Sequence, residues 1–307
     1  MKEQFTIVGI GELLYDCFGD REVAGGAPFN FAYYARGLGM EGVIASRIGR
    51  DERGARLRNE VLPALGMGGE YVQEDAERPT GTVNVRLDAG GNASYEIVRD
   101  VAWDYLETTP ELIDLAHRSD AVCFGTLAQR TPKAGETIDA FVEVARDEHA
   151  LVLLDVNLRE QFYSAELLRR CCLQADILKI NEAELLVART LLGAERLSDE
   201  EFLARLIATY HMEIICLTRG SEGCILQTRQ DRIESPGFPV KVQDTVGSGD
   251  AFSAGLLVKF LEGAPLREMA RYANLCGAYV AGQHGATPAF SRALVAEFEK
   301  SLGAPGA

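Results

Sequence analysis

Short apolar runs alternate with amphipathic stretches from one end of the chain to the other, and this rhythm limits the possible folds more than any other feature. Phe5–Ile10 precedes a helical pattern over Pro28–Leu38, and Gly42–Ile48 precedes another over Glu52–Leu65. Further on, Ala121–Phe124, Leu151–Val156, Ile177–Ile180 and Ile214–Thr218 read as strands, with Glu136–Arg146, Ala165–Cys172 and Glu182–Leu191 as helices among them. Runs this short and this continuously apolar suit strands buried on both faces, which is what βαβ units produce. The pattern predicts an α/β fold with a mainly parallel central sheet flanked by helices. With 307 residues and no linker or internal repeat, one domain spanning 1–307 is expected.

Two stretches interrupt the rhythm. Residues 12–24 and 69–100 hold alternating segments such as Thr82–Leu87 and Ser94–Val98, joined by Asp88-Ala-Gly-Gly-Asn92, with no helix between them. They predict a small antiparallel sheet projecting from the main body, whose edge and apolar face need a cover. A lid over a site or a dimer contact fits this, and a homodimer is expected. Later, Ser248–Leu261 and Pro265–Gln283 read as helices, the first after a Gly-rich turn.

Charge narrows the partners. The chain carries 31 Lys plus Arg against 46 Asp plus Glu, a formal charge of −15, which opposes general binding to nucleic acid or to acidic membrane surfaces. The Met1–Asp20 stretch lacks the basic start and uninterrupted apolar core of a signal peptide, and no run approaches the length of a membrane span. The seven cysteines are scattered without C-x-x-C or zinc-finger spacing. Reduced thiols in a soluble cytoplasmic protein are expected, with Cys171 and Cys172 packing a helix. His117, His149, His211 and His284 are scattered and suggest no ligand set.

The stretch richest in chemistry is Asp244-Thr-Val-Gly-Ser-Gly-Asp-Ala-Phe252, set before an apolar helix. Gly247 and Gly249 let consecutive N–H groups turn outward, and the helix adds its positive end, so the turn suits a phosphate or a transferring phosphoryl group. Asp250 in the first turn is placed to accept a hydroxyl proton; a plain Asp cap is the alternative. Near the N-terminus, Gly25-Gly-Ala-Pro-Phe-Asn-Phe-Ala32 is a second glycine pair entering a helix, and Asn30 offers both a donor and an acceptor to a polyol. Asn181 and Glu184 have the spacing of a helix capping box. Arg99 and Arg159 are candidates for an acidic group, although Arg99 has Asp100 and Asp104 close by in sequence to pair with.

Taken together, these motifs resemble those of sugar kinases of the ribokinase (PfkB) family: GG-x-x-x-N-x-A early and D-T-x-G-x-G-D late. Between them, in order, stand Arg47-Ile-Gly-Arg-Asp-Glu-Arg-Gly54, Thr80-Gly-Thr-Val83, Asp155-Val-Asn-Leu-Arg159, Asn181-Glu-Ala-Glu184 and Thr218-Arg-Gly-Ser-Glu-Gly223. The resemblance covers essentially the whole chain. It implies Asp250 as catalytic base, Gly247, Ser248 and Gly249 as the anion hole, and Arg159 on the charge of the transferring group. It further implies Asp16, Gly26 and Asn30 as sugar contacts with Arg99 beside them, and Asn181 and Glu184 as organisers of Mg2+ and phosphate. Thr218, Gly220 and Gly223 correspond to the nucleotide loop, and Asn274 to the helix flanking adenine. ATP and Mg2+ are the implied cofactors, with room for a monovalent cation such as K+.

Within the family, Gly25–Pro28 with Asn30, and Asp155–Arg159 with the trailing Phe162 and Tyr163, most resemble fructokinases. D-fructose is therefore the expected acceptor, with 2-keto-3-deoxygluconate and ribose as alternatives. Phe29 and Phe31 are bulkier than the small residues often found at those positions. A non-catalytic sugar or nucleotide sensor on the same fold is disfavoured by Asp250 next to an intact Gly-x-Gly turn. A nicotinamide dehydrogenase lacks its glycine fingerprint, since the first strand leads into Gly9-Ile-Gly-Glu-Leu-Leu14, and a P-loop lacks any Gly-Lys pair.

Overall fold

A computed structural model describes residues 4–19, 21–87 and 93–303. Its strands are β1 (Thr6–Ile10), β2 (Leu14–Phe18), β3 (Arg21–Gly25), β4 (Glu41–Gly49), β5 (Val72–Asp75), β6 (Gly81–Leu87) and β7 (Ala93–Ile97). They continue with β8 (Ala121–Gly125), β9 (Leu151–Asp155), β10 (Ile177–Asn181), β11 (Ile214–Thr218), β12 (Cys224–Gln227) and β13 (Arg232–Ser235). The main sheet has the order β13-β12-β11-β10-β9-β8-β1-β4-β5. From β11 to β5 every pairing is parallel, and β12 and β13 close one edge in antiparallel fashion.

β1, β8 and β9 are buried at every position, as their uninterrupted apolar runs require. Successive side chains go to opposite layers. Val8, Val122 and Leu154 join the core on one face with Trp103 and Phe141. Ile7, Cys123 and Leu153 join the core on the other with Phe29, Phe252 and Leu256. Helices Pro132–Asp147, Ala165–Gln174 and Glu182–Leu191 cover the first layer, and Ala27–Gly37, Ser248–Leu261 and Leu266–Ala281 cover the second. Phe29 and Phe31 are both buried, at 0% and 1% exposure, so their bulk serves packing. All seven cysteines are free thiols, and Cys171 and Cys172 pack the helix Ala165–Gln174.

The small sheet forms with the order β3-β2-β6-β7 and differs from expectation in two respects. Its outer pairings are antiparallel, but β2 and β6 run parallel because a long excursion through the main body separates them. Residues 72–75, expected in the lid, instead add the edge strand β5 beside β4 of the main sheet. The joining turn Asp88–Asn92 lies outside the described residues. Ile97 N–H donates to Glu160 Oε1 at 2.7 Å, which ties β7 to the loop following β9.

Behind β7 the body is held by a buried ion pair that the sequence reading missed. Arg130 and Asp104, with side chains 3% and 1% exposed, meet through Nε–Oδ1 at 2.6 Å and Nη2–Oδ2 at 2.7 Å. Arg130 also donates to Val98 O at 2.6 Å and stacks 4.0 Å over Trp103. Removing one partner strands the other charge in an apolar layer. Asp104→Ala should therefore lower unfolding free energy by about 3–5 kcal/mol in urea titration, and a loss below about 1 kcal/mol would show that the pair is well solvated.

Candidate active site

The parallel strands deliver their carboxyl ends to one side of the sheet. Glu12 follows β1, Asp155 ends β9, Asn181 ends β10 and Thr218 ends β11. β1 lies between β4 and β8, so the chain winds away from it in both directions, and open α/β sheets bind ligands at such a reversal. The N-terminus of helix Ser248–Leu261 faces this crevice.

That helix begins at Gly247 with no side-chain cap. Gly247 has φ +81°, and a Cβ there would stand 2.5 Å from Ala286 O and 2.7 Å from the Tyr34 hydroxyl, so no side chain fits. Ser248 Oγ and N–H both donate to Thr245 O, at 2.7 and 3.2 Å, which leaves the Gly247 and Gly249 amides as the donors for an anion. Behind Gly249 stands Lys179, whose Nζ is 3.2 Å from the position a Cβ would take. Lys179 donates to both oxygens of Asp155, at 2.9 and 3.0 Å, and Ser253 Oγ adds a third bond to Asp155 at 3.2 Å. Burial alone would push Lys179 down, but Asp155 and then Glu184 outweigh it and hold the ammonium above its ordinary value. The sequence reading passed over Lys179, although a lysine inside the apolar run Ile177-Leu-Lys-Ile-Asn181 is the signal that marks a buried, partnered charge.

Asp250 lies in the first helical turn, half-buried. Asn30 Nδ2 donates to its Oδ2 at 2.8 Å, bringing the two glycine motifs together across 220 residues. Burial pushes Asp250 up to about 6, the Asp155 charge adds to the rise, and Asn30, Lys179 and Arg159 oppose it. At neutral pH the group is mostly a carboxylate, able to accept a proton. The buried Asn30 Oδ1 has no partner among the described residues and is open to a hydroxyl. Gly26, with φ +116°, passes so close to Glu12 O that a Cβ would be 2.3 Å away. Asp16 is half-buried on β2 and is raised to about 6 by burial, against the charge of Arg159. Arg159 is exposed, and its charge bears on Asp16, Glu12 and Asp250 together.

Arg99 does not pair with Asp100 or Asp104. Asp100 is held by Arg78 and Tyr105 and Asp104 by Arg130, while the Arg99 guanidinium stacks 4.7 Å over Phe162. The Phe162 ring also meets Arg130 at 4.8 Å, so Arg99 links the lid's base to the body.

A cavity of about 490 Å3 opens beside the anion hole, lined by Thr218, Gly220, Gly223, Ser248, Gly249 and Asn274. Phe238, Val240, Val242 and Phe252 give it an apolar wall, and the segment 237–242 was not foreseen from sequence. Asn274 Nδ2 donates to Ser235 O and Pro236 O at 3.1 and 3.2 Å, so its amide anchors that wall. Asn181 and Glu184 form the capping box itself: Asn181 Oδ1 accepts Glu184 N–H and Glu184 Oε2 accepts Asn181 N–H, both at 2.9 Å. Glu184 Oε1 takes Leu158 N–H at 3.2 Å, and burial raises this carboxyl against the pull of Lys179.

The sequence pattern of the pfkB family of carbohydrate kinases matches residues 7–292, and the chain belongs to that family. It is a phosphotransferase acting on a sugar. A protein named fructokinase-1 from Oryza sativa subsp. japonica is 31% identical over 277 residues, covering 86% of this chain and 84% of that protein. One named fructokinase-2 from Solanum lycopersicum is 28% identical over 312 residues, covering 94% and 93%. The fold matches a crystal structure of fructokinase with bound ATP from Xylella fastidiosa at a TM-score of 0.86, with 22% identity over 96% of this chain and 98% of that one.

The elevated Asp250 gives a prediction with a definite sign. Between its ordinary value and about 6, the folded protein holds a proton that the unfolded chain releases, so this group's contribution to stability is lost as pH rises through that window. Asp250→Asn removes the buried charge and should stabilise the protein at pH 8 by on the order of 1 kcal/mol, with no gain at pH 4. Thermal unfolding at the two pH values checks it, and equal stability at pH 8 would overturn it. The same variant should lower kcat by about 10²–10⁴.

Proposed function

We propose that this protein transfers the γ-phosphoryl group of ATP to a primary hydroxyl of D-fructose. The observation that carries the reading is Asp250: a carboxylate held by Asn30 at an uncapped helix N-terminus whose Ser248 and Gly249 line the 490 Å3 cavity. The sugar lies under the lid against Asp16 and Asn30. Asp250 takes the hydroxyl proton as the oxygen attacks the γ-phosphorus in line. The amides of Gly247 and Gly249 and the Arg159 guanidinium meet the charge on the transferring group, and Lys179 adds its field from beneath Gly249. The nucleotide occupies the large cavity, its base against Phe238, Val240 and the Asn274-anchored wall. Lid closure keeps water from the phosphoryl group. The chain's acidity is no obstacle, because these few donors supply a local positive site.

Glu184 and Asn181 fit a role in holding Mg2+ through water. Their oxygens are engaged in the capping box but keep further lone pairs, and a hard cation arriving with ATP takes its remaining ligands from phosphate and water. When bound, the ion neutralises charge on the phosphates. A monovalent cation such as K+ belongs to the same proposal. We also place the enzyme in the cytoplasm, consistent with its free thiols, and as a homodimer joined through the lid, where Phe18 is 41% exposed. No helix among the described residues is long and apolar enough to cross a membrane.

A panel of D-fructose, ribose and 2-keto-3-deoxygluconate with Mg-ATP tests the substrate. D-fructose should give the highest kcat/KM, and Asp16→Ala should lose at least about 10²-fold in that ratio, because a site built to bind hydroxyls suffers when one partner is missing. A higher kcat/KM for either other sugar would replace fructose as substrate and leave the kinase chemistry intact. For the metal, Glu184→Gln keeps an acceptor for the cap while losing the charge. It should raise the half-saturating Mg2+ concentration more than the sugar KM, and an unchanged Mg2+ requirement would remove Glu184 from that role.

A further inference from the structure

One buried acid has no duty in the reaction above. Glu12, 2% exposed, follows β1 and accepts the Ala27 N–H through Oε1 at 3.3 Å. Its Oε2 is buried with no partner among the described residues. Glu12 lines a small cavity of about 10 Å3 together with Asp155, Asn157 and Asp250. A space of that size holds at most one water. Asp155 is already committed to Lys179 and Ser253. Asp250 must be ionised to serve as base. Were Glu12 ionised as well, two acceptor-only carboxylates would share the cavity with no hydrogen bond to Glu12 Oε2 among the described residues, and a buried oxygen left unpaired loses its hydration without return. A proton on Glu12 removes both difficulties, since Oε1 keeps the Ala27 N–H and Oε2–H becomes a donor.

We infer that Glu12 acts as a neutral carboxylic acid, a positioning residue whose Oε2–H donates, directly or through one water, to the Asp250 carboxylate that Asn30 also holds. The proton stays on Glu12 through turnover, and the sugar's proton goes to Asp250. The inference rests on the kinase reading above. Facing Glu12 are Asp250 on helix Ser248–Leu261, Cys123 on β8, Asp155 at the end of β9 and Arg159 in the loop beyond it, with the Ala27 N–H from helix Ala27–Gly37. Burial raises Glu12, its backbone hydrogen bonds pull it back, Asp250 raises it and Arg159 lowers it, leaving it at about 7. Above that pH the donor is gone and a second negative charge stands beside the base and the reacting phosphoryl group, so turnover falls.

The test is kcat against pH for D-fructose and Mg-ATP in wild type and Glu12→Gln, which keeps an acceptor and a donor but cannot ionise. Wild type should lose about tenfold per pH unit on the alkaline side, while Glu12→Gln runs flat there to about pH 9. Both should share the acid limb set by Asp250. An alkaline limb at the same position in the variant would overturn the inference. Independently of turnover and of how the variant folds, the carboxyl 13C shift of Glu12 in the wild-type protein should report a neutral acid at pH 6. An ionised Glu12 at that pH would overturn the inference even if the kinase assignment stands. If no sugar is turned over, the kinase reading fails while the 13C titration still decides the state of Glu12.

Discussion

The buried Lys179–Asp155 pair is the interaction on which the rest of the site depends. Neither charge is tolerable alone in a layer where Leu153, Ile177 and Cys216 are fully excluded from water. Each therefore fixes the other, and both are fixed by adjacent parallel strands, since Lys179 pairs with Asp155 in the β9–β10 register. The ammonium then lies beneath Gly249, and Ser253, one turn further along the same helix, fastens Asp155 to it. The helix N-terminus, the base it carries and the strand ends are thus locked to one another by charge. A slip of one residue in that register would send Lys179 to the opposite face and leave Asp155 without its cation.

How much of this could be read from the sequence follows from how local each feature is. The Gly247-Ser-Gly-Asp250 turn is legible because backbone freedom, helix start and acid fall within four residues. The parallel strands are legible because burial on both faces leaves few polar positions to confuse the pattern. Partners that meet only in space were not legible. Arg130 finds Asp104 across a helix, a strand and a short turn, and nothing in the spacing distinguishes Asp104 from the neighbouring Asp100, which goes to Arg78. Arg99 has two aspartates nearby in the chain and yet stacks on Phe162. Residues 72–75 were assigned to the lid because they fall in the helix-free stretch 69–100, and the lack of a helix does not tell which sheet a strand will join.

The sugar and nucleotide sides differ in the same way. The nucleotide loop Thr218–Gly223 could be found from its glycines, whereas the wall formed by Phe238, Val240 and Val242 belongs to a segment without regular structure. Its position follows from Asn274, whose amide holds Ser235 and Pro236. An adenine contact inferred from motif position thus becomes, in the structure, a support for the surface an adenine would meet.

Asn181 and Glu184 show why a structural and a catalytic role need not compete. A capping box consumes one lone pair on each oxygen it uses and fixes the side chains at the very end of a strand. A cation held through water asks for oxygens that are already fixed and still have a free lone pair. The cap does the positioning that such a ligand needs, and Leu158 N–H on Glu184 Oε1 fixes the loop toward Arg159 at the same time. The spacing that made the plain reading attractive is therefore also the spacing that orders the loop carrying Arg159, an exposed cation whose field reaches Asp16, Glu12 and Asp250 alike. Local backbone chemistry at the end of β10 sets where the site's charge stands.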